Sequence, residues 1–256
     1  MEKLSIAAEH PVLAMVALKT VSLDGEKVVA RLRARFGDDV VSAPTVTATG
    51  IVQFTLEGRA NVYLTPLPLP IQWSMLEEPC LHAEVPPARW PGATSAMRAH
   101  AAHVLVVLAD APPKVVRQRI GLTHVVSAVA ATTDAAGVYW GEGPIVHEPA
   151  FFIAVAKNAS LDAIPYHLWI DLRVSAGTKP GTVTVVTRGL PALGHREIEV
   201  VDSARGVHEV TSKVRSLIHH LLDQGPVPAD GETFSTTNND RIKVQVTRDG
   251  ALRLEI

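Results

Sequence analysis

His100 and His103 stand three residues apart in the run RAHAAHVLVVLAD (98–110). That spacing puts two imidazoles on one helical face if a helix starting near Trp90 continues through them. With His147 or Glu142 they could supply the three protein ligands of a catalytic zinc site, whose metal would activate a bound water. Against that reading, such pairs arise easily among 11 histidines, and this pair runs straight into an apolar strand, where a histidine commonly caps backbone groups. No metal and no cofactor are therefore expected, and His100, His103 and His147 are the residues to inspect. His219-His220 carries less, because adjacent helical residues point about 100° apart and cations near a helix C-terminus suit its dipole.

Two further stretches combine chemically capable residues. Tyr139-Trp140-Gly141-Glu142-Gly143 joins aromatics to glycines, as a loop that binds a ligand or a partner does, and makes Tyr139, Trp140 and Glu142 binding candidates. The plainer reading is a core strand ending in a glycine turn. His195-Arg196-Glu197-Ile198-Glu199 places His195, Glu197 and Glu199 on one side of a strand, an arrangement suited to acid–base chemistry or to the polar face of a half-exposed strand. The second is favoured, with His195 and Glu197 as binding residues. The chain has no Gly-X-Ser-X-Gly elbow, no P-loop and no dinucleotide fingerprint. Cys80, among prolines and with His82 as its only basic neighbour, reads as a buried structural thiol. No residue is assigned as catalytic.

Composition narrows the function classes. Lys plus Arg number 24 against 26 Asp plus Glu, a net charge of -2, which provides no excess field for a nucleic acid or an acidic membrane surface. A lone cysteine cannot pair within the chain and fits a reducing compartment, so a cytoplasmic location is expected. The opening MEKLSIAAEHPVLAMVALKT is broken by Glu9, His10 and Pro11 and reads as a strand, not a signal peptide. No apolar stretch approaches the roughly 20 residues of a membrane span.

The elements that must position these residues follow from periodicity. Residues 12–23 read as a buried strand, after which Asp24 caps a helix with Val28, Val29, Leu32 and Phe36 on one face and Gly37 as terminator. Alternating strands follow at 40–48, 51–56 and 61–64. Beyond Thr65, seven of the 18 prolines fall between Pro66 and Pro91, too many for regular structure, so 73–99 is expected to be a Pro-rich connection. A short helix after Trp90, a strand at 103–108, a proline-started helix over 110–133 and a strand at 137–140 come next. A helix at 148–157 and strands at 166–174, 182–188 and 197–202 lead to the clearest helix, whose stripe Val207, Val210, Val214, Leu217, Ile218, Leu221, Leu222 is closed by Gly225. Two strands, 241–247 and 251–256, end the chain. The order predicts an α+β protein of two packed ferredoxin-like lobes, mostly antiparallel with helices on one face. The N-terminal lobe is placed at 1–72 and the C-terminal lobe at 100–256.

His100-Ala-Ala-His103-Val-Leu-Val-Val, Gly137-Val-Tyr-Trp140 and Gly189-Leu-Pro-Ala-Leu-Gly-His195-Arg-Glu197-Ile-Glu199 together resemble the bacterial domain-of-unknown-function family 4261. The likeness extends from about Trp73 to the C-terminus and is most specific in the last segment. It implies stand-alone cytoplasmic bacterial proteins, some in toxin-antagonism or secretion-associated gene sets, and carries over no reaction, cofactor or catalytic residue. The expectation is a non-enzymatic binding protein acting through protein–protein recognition, an immunity or regulatory factor whose partner is another bacterial protein. The alternative is a hydrolase or transferase on a His/Glu site, with or without a metal. A third reading is a small-ligand sensor with a pocket between the lobes.

Overall fold

Valine- and leucine-rich strand segments alternate with helical ones along the chain. The computed structural model describes residues 12–85, 90–109, 115–223, 225–235 and 241–256. It gathers them into two units, one from residues 1–141 and 146–165 and the other from 142–145 and 166–256. Each unit has its own mostly antiparallel sheet, which makes the chain an α+β protein. Among the described residues no helix is long and apolar enough to cross a membrane. The expected reading of residues 1–11 and the proline start of the helix at 110–113 lie outside the described residues.

The first unit begins with β1 (Val12–Leu18) and α1 (Gly25–Phe36), followed by β2 (Thr45–Val46), β3 (Val52–Leu56) and β4 (Ala60–Leu67). Next come α2 (Trp73–Glu84), α3 (Ala93–Ala99), β5 (Ala102–Ala109), α4 (Val115–Thr132), β6 (Ala135–Trp140), β7 (Ile145–His147) and α5 (Pro149–Ala156). Asp24 caps α1 by accepting the Lys27 N–H at 3.1 Å, and Gly37 (φ 97°) ends the helix by donating to the Arg33 carbonyl. The sheet order is β2-β3-β4-β5-β1-β6-β7. β5 lies antiparallel to both β1 and β4, so those two strands run parallel to each other with β5 between them. A lobe boundary between residues 72 and 100 would cut this sheet through its middle, and the observed division falls near residue 165 instead.

Helices cover both faces of this sheet, not one. On β6, Tyr139 and Trp140 point to opposite sides, as successive strand residues must. Tyr139 packs in a cluster with Cys80, Trp90 and Met97 beneath α2 and α3, whereas Trp140 meets Phe152 of α5 with ring centroids 6.4 Å apart. α4 lies on the Trp140 side, against β1, β5 and β6, and packs with α1 and α5. Its burial on several sides explains why Arg119, Thr123, His124 and Ser127 are buried along with its apolar residues. The Pro-rich segment also departs from expectation: α2 is helical through Pro79. The burial of Leu76, Pro79 and Cys80 outweighs the backbone hydrogen bond that the proline forfeits.

The second unit holds β8 (Asp171–Ala176), β9 (Val183–Arg188), β10 (Ile198–Ser203), α6 (Val207–Leu222), β11 (Thr233–Ser235), β12 (Arg241–Val246) and β13 (Leu252–Glu255), in the order β11-β12-β13-β10-β9-β8. Two three-stranded meanders thus meet at one parallel pair, β10 with β13, and α6 lies on the crossover that a parallel neighbour requires. This is not a β-α-β-β-α-β order. Ile242, Val244, Leu252 and Leu254 are buried while Lys243, Arg253 and Glu255 alternate outward. The apolar side takes the α6 stripe, in which Val210, Val214, Leu217, Ile218 and Leu221 are each at most 1 % exposed, worth about 1.5–3 kcal/mol per side chain.

His124 of α4 is buried, meets the Phe36 ring edge-on at 5.0 Å, and its Nε2 lies 3.1 Å from the Ala159 carbonyl. Burial, with the Arg35 charge adding to it, pushes its pKa from 6.5 down to about 4. The unfolded chain therefore takes up a proton that the folded chain refuses. Stability from this site is complete above about pH 6.5 and falls as the pH drops toward 4, by up to about 3 kcal/mol. Urea midpoints between pH 7.5 and 4 should fall less steeply in His124→Gln than in the parent protein; identical slopes would refute the assignment. In the second unit, a Cβ on Gly143 would overlap the Trp169 carbonyl oxygen and stand 3.1 Å from that of Arg188. Backbone rather than a flexible side chain blocks it, so Gly143→Ala should cost about 3 kcal/mol or more in chemical denaturation.

Candidate functional site

The histidines that open the question of metal chemistry are tied to backbone. The His100 ring accepts the Ile71 N–H on Nε2 at 2.7 Å and uses Nδ1 on the Met97 carbonyl, a pattern that needs the neutral tautomer. Burial lowers its pKa and keeps it neutral. His103 Nδ1 bonds the Leu69 carbonyl at 2.8 Å, so the pair fastens the end of α3 and the start of β5 to the segment before α2. His147, on β7, is buried with ring centroids 6.0 Å and 5.6 Å from Phe151 and Phe152. Among the described residues no three His, Cys, Asp or Glu side chains are grouped to hold a metal ion.

Tyr139 and Trp140 also serve the interior, at 5 % and 0 % exposure, rather than a loop surface. The glycines after them have a packing reason. Gly143 lies so close to Trp169 and Gly189 that a Cβ on Gly189 would stand 2.6 Å from the Trp169 oxygen and 2.8 Å from the Gly143 Cα. Glu142, half-buried, falls in the segment assigned to the second unit.

His195, Glu197 and Glu199 are brought together. They line one concavity of about 490 Å³ in the second unit, with Val186 and Arg188 of β9, Arg196, and the turn at Asp249–Gly250–Ala251. Its floor is built by register: Glu199 faces Val186 across the antiparallel pair and Arg253 across the parallel one. Arg253 closes an ion pair on Glu199, with Nε and Nη2 at 2.7 Å and 2.6 Å from one carboxylate oxygen. The Glu197 carboxylate accepts the buried Thr187 hydroxyl at 2.6 Å and the Gly189 N–H at 2.8 Å, and the same hydroxyl accepts the Ile198 N–H at 2.7 Å. Asp249 accepts the Thr247 hydroxyl at 2.6 Å, the first cause of its lowered pKa. His195 is held neutral by burial, and its Nδ1 is enclosed without a hydrogen-bond partner among the described residues. The arrangement is a rigid, mixed-charge hollow on strand ends in which Glu197 already has work to do.

A second hollow has no counterpart in the sequence reading. It lies in the first unit and is lined by Arg35, Arg59, Arg117 and His124 over apolar walls. Arg35, Arg59 and Arg117 are 24 and 58 positions apart, and nothing local in the sequence links them.

The profile of the family described as "Domain of unknown function (DUF4261)" matches residues 186–253. Every residue lining the concavity around His195 lies inside that range. The likeness carried by residues 100–107 and 137–140 lies outside it. No curated protein and no solved structure shows significant similarity to the chain.

The geometry assigns Glu197 to holding the rim. Glu197→Ala should cost about 1–3 kcal/mol, because it strands the buried Thr187 hydroxyl and the Gly189 N–H. Arg196→Ala, at an exposed position, should stay within about 0.5 kcal/mol. Guanidinium unfolding of both variants checks this, and equal small effects would show that the rim does not depend on Glu197.

Proposed function

We propose that this protein is a non-enzymatic, cytoplasmic binding protein that recognises another bacterial protein, as an immunity or regulatory factor, through the concavity around His195. The observation that carries the reading is the state of the polar groups there. Glu197 is committed to Thr187 and Gly189 and Glu199 to Arg253. His195, which has the neutral state of a general base, has no orienting partner among the described residues. What remains to meet a partner is a fixed pattern of Arg188, Arg196 and Asp249 around the closed Glu199–Arg253 pair, on strand ends and a tight turn, and such charge patterns set specificity and association rate. The family match over this whole lining is consistent with a shared surface, and the charge balance of the chain favours a protein partner over a nucleic acid.

The test is a partner isolated by affinity capture from the native host and rebuilt from purified components. Arg196→Glu and Asp249→Lys should each weaken the rebuilt complex at least tenfold at unchanged melting temperature. Val46→Lys, at an exposed position on the first unit, should leave it intact. Failure to recover a stoichiometric partner, or a complex indifferent to both charge reversals, would overturn the proposal.

A further inference from the structure

We propose that the hollow in the first unit is a binding site for a small monocarboxylate with an apolar body, the size of a medium-chain fatty acid.

The walls are apolar: Phe36 from the end of α1, Leu56 and Ala60 flanking the β3–β4 turn, Leu108 from β5, and Ile120 and Gly121 from α4. The cavity measures about 290 Å³, roughly twice the volume that holds one benzene in an apolar protein cavity. A body of about ten non-hydrogen atoms fits that space.

The charge is one-sided. Among the described residues, Arg35, Arg59 and Arg117 line the hollow against a single carboxylate, Glu57. Arg35 is aimed by its own contacts, donating to the Lys157 and Ala159 carbonyls at 2.7 Å and 3.4 Å with its guanidinium 5.3 Å from the centre of the Phe36 ring. Those carbonyls orient the cation without neutralising it. Arg59 and Arg117 are exposed and make no side-chain hydrogen bond or ion pair among the described residues, so both can close on an anion. His124, in the same wall, is engaged with the Ala159 carbonyl and adds no charge. Apolar walls under a cationic rim select a ligand that is greasy along its body and singly anionic at one end. A compact, highly hydrated anion such as inorganic phosphate would have to lose its water against the walls.

Gly121 gives separate support. It sits inside α4, where glycine costs about 0.8–1 kcal/mol relative to alanine. Packing does not require it, because a Cβ there would make an ordinary 3.5 Å contact with Leu108 Cδ2. The Gly121 position forms part of the hollow wall, so any side chain would take up ligand volume. The helix bears that cost where the cavity needs room.

The test uses the full-length protein and sodium octanoate as probe, followed by amide chemical shifts and calorimetry, with 1-octanol, acetate and inorganic phosphate as comparisons. Octanoate should saturate one site, at least tenfold more tightly than any of the three, and shift resonances of residues around Gly121. The double variant Arg59→Gln/Arg117→Gln, at exposed positions, should bind at least tenfold more weakly at unchanged melting temperature. Gly121→Ala should melt higher yet bind more weakly, which separates loss of space from loss of fold. Octanol or phosphate binding as tightly as octanoate, an arginine variant with parental affinity, or shifts confined to residues outside the hollow would each overturn the proposal.

Discussion

Strand β5 has to pair on both edges and bury one face completely, and most of the first unit is arranged around that requirement. Its backbone is hydrogen-bonded to β1 on one side and β4 on the other, while Val104, Val106 and Leu108 are at most 3 % exposed. A strand so placed leaves no edge for solvent, and its two neighbours come from a part of the chain that precedes it by dozens of residues. The segment between β4 and β5 therefore has to leave the sheet and return to its centre. It does so as α2 and α3, which bury Leu76, Cys80 and Met97 against the face carrying Met15, Ala17 and Tyr139. α4 and α5 take the other face. The insertion of one strand thus decides where the helices go and places Leu108 as a wall of the apolar hollow.

The same insertion explains the fate of the histidines. Where α3 passes into β5, the Met97 carbonyl at the helix end and the Ile71 N–H and Leu69 carbonyl of the segment before α2 each need a partner. His100 and His103 meet that need, one as donor and acceptor in its neutral form, the other through Nδ1 on the Leu69 carbonyl. Burial favours the neutral imidazole, and the neutral imidazole is the form able to accept the Ile71 N–H. Two residues whose spacing resembles a metal motif are, in this fold, the fastening of a central strand.

Local signals in the sequence carried those elements whose stability is local. The α1 cap at Asp24, the α6 stripe ending before Gly225 and the alternation of Ile242, Val244, Leu252 and Leu254 with charged neighbours all appear as expected, because each is decided within a few residues. The Pro-rich segment was misleading because propensity counts the lost hydrogen bond at Pro79 but not the core that α2 closes. Tyr139 and Trp140 resembled a binding loop because aromatics beside glycines suit either a surface or a crowded strand end. The choice rests on Gly143 meeting the Trp169 carbonyl, a contact between positions 26 residues apart. The tie of Thr187 to Glu197 is similarly non-local. Alternation could place His195, Glu197 and Glu199 together, but not say which of them the fold had already engaged.

Hollows are the least legible features, since they are made of what the surrounding elements fail to fill. The cleft in the first unit takes Arg35 from the end of α1, Arg59 from a β-turn and Arg117 from the start of α4, three positions whose only common property is where β5 and α4 bring them. Arginine at each position reads singly as ordinary solvated surface. Together, over an apolar floor that water hydrates poorly, their charges lie close to a low-dielectric wall, where attraction for an anion is stronger than at an open surface. A glycine inside α4 points the same way from the energetic side: the helix forgoes stability that an alanine could supply without a clash. Space that a fold could fill at a gain, and leaves open beside two arginines that make no ion pair among the described residues, is better explained by something that enters it than by packing alone.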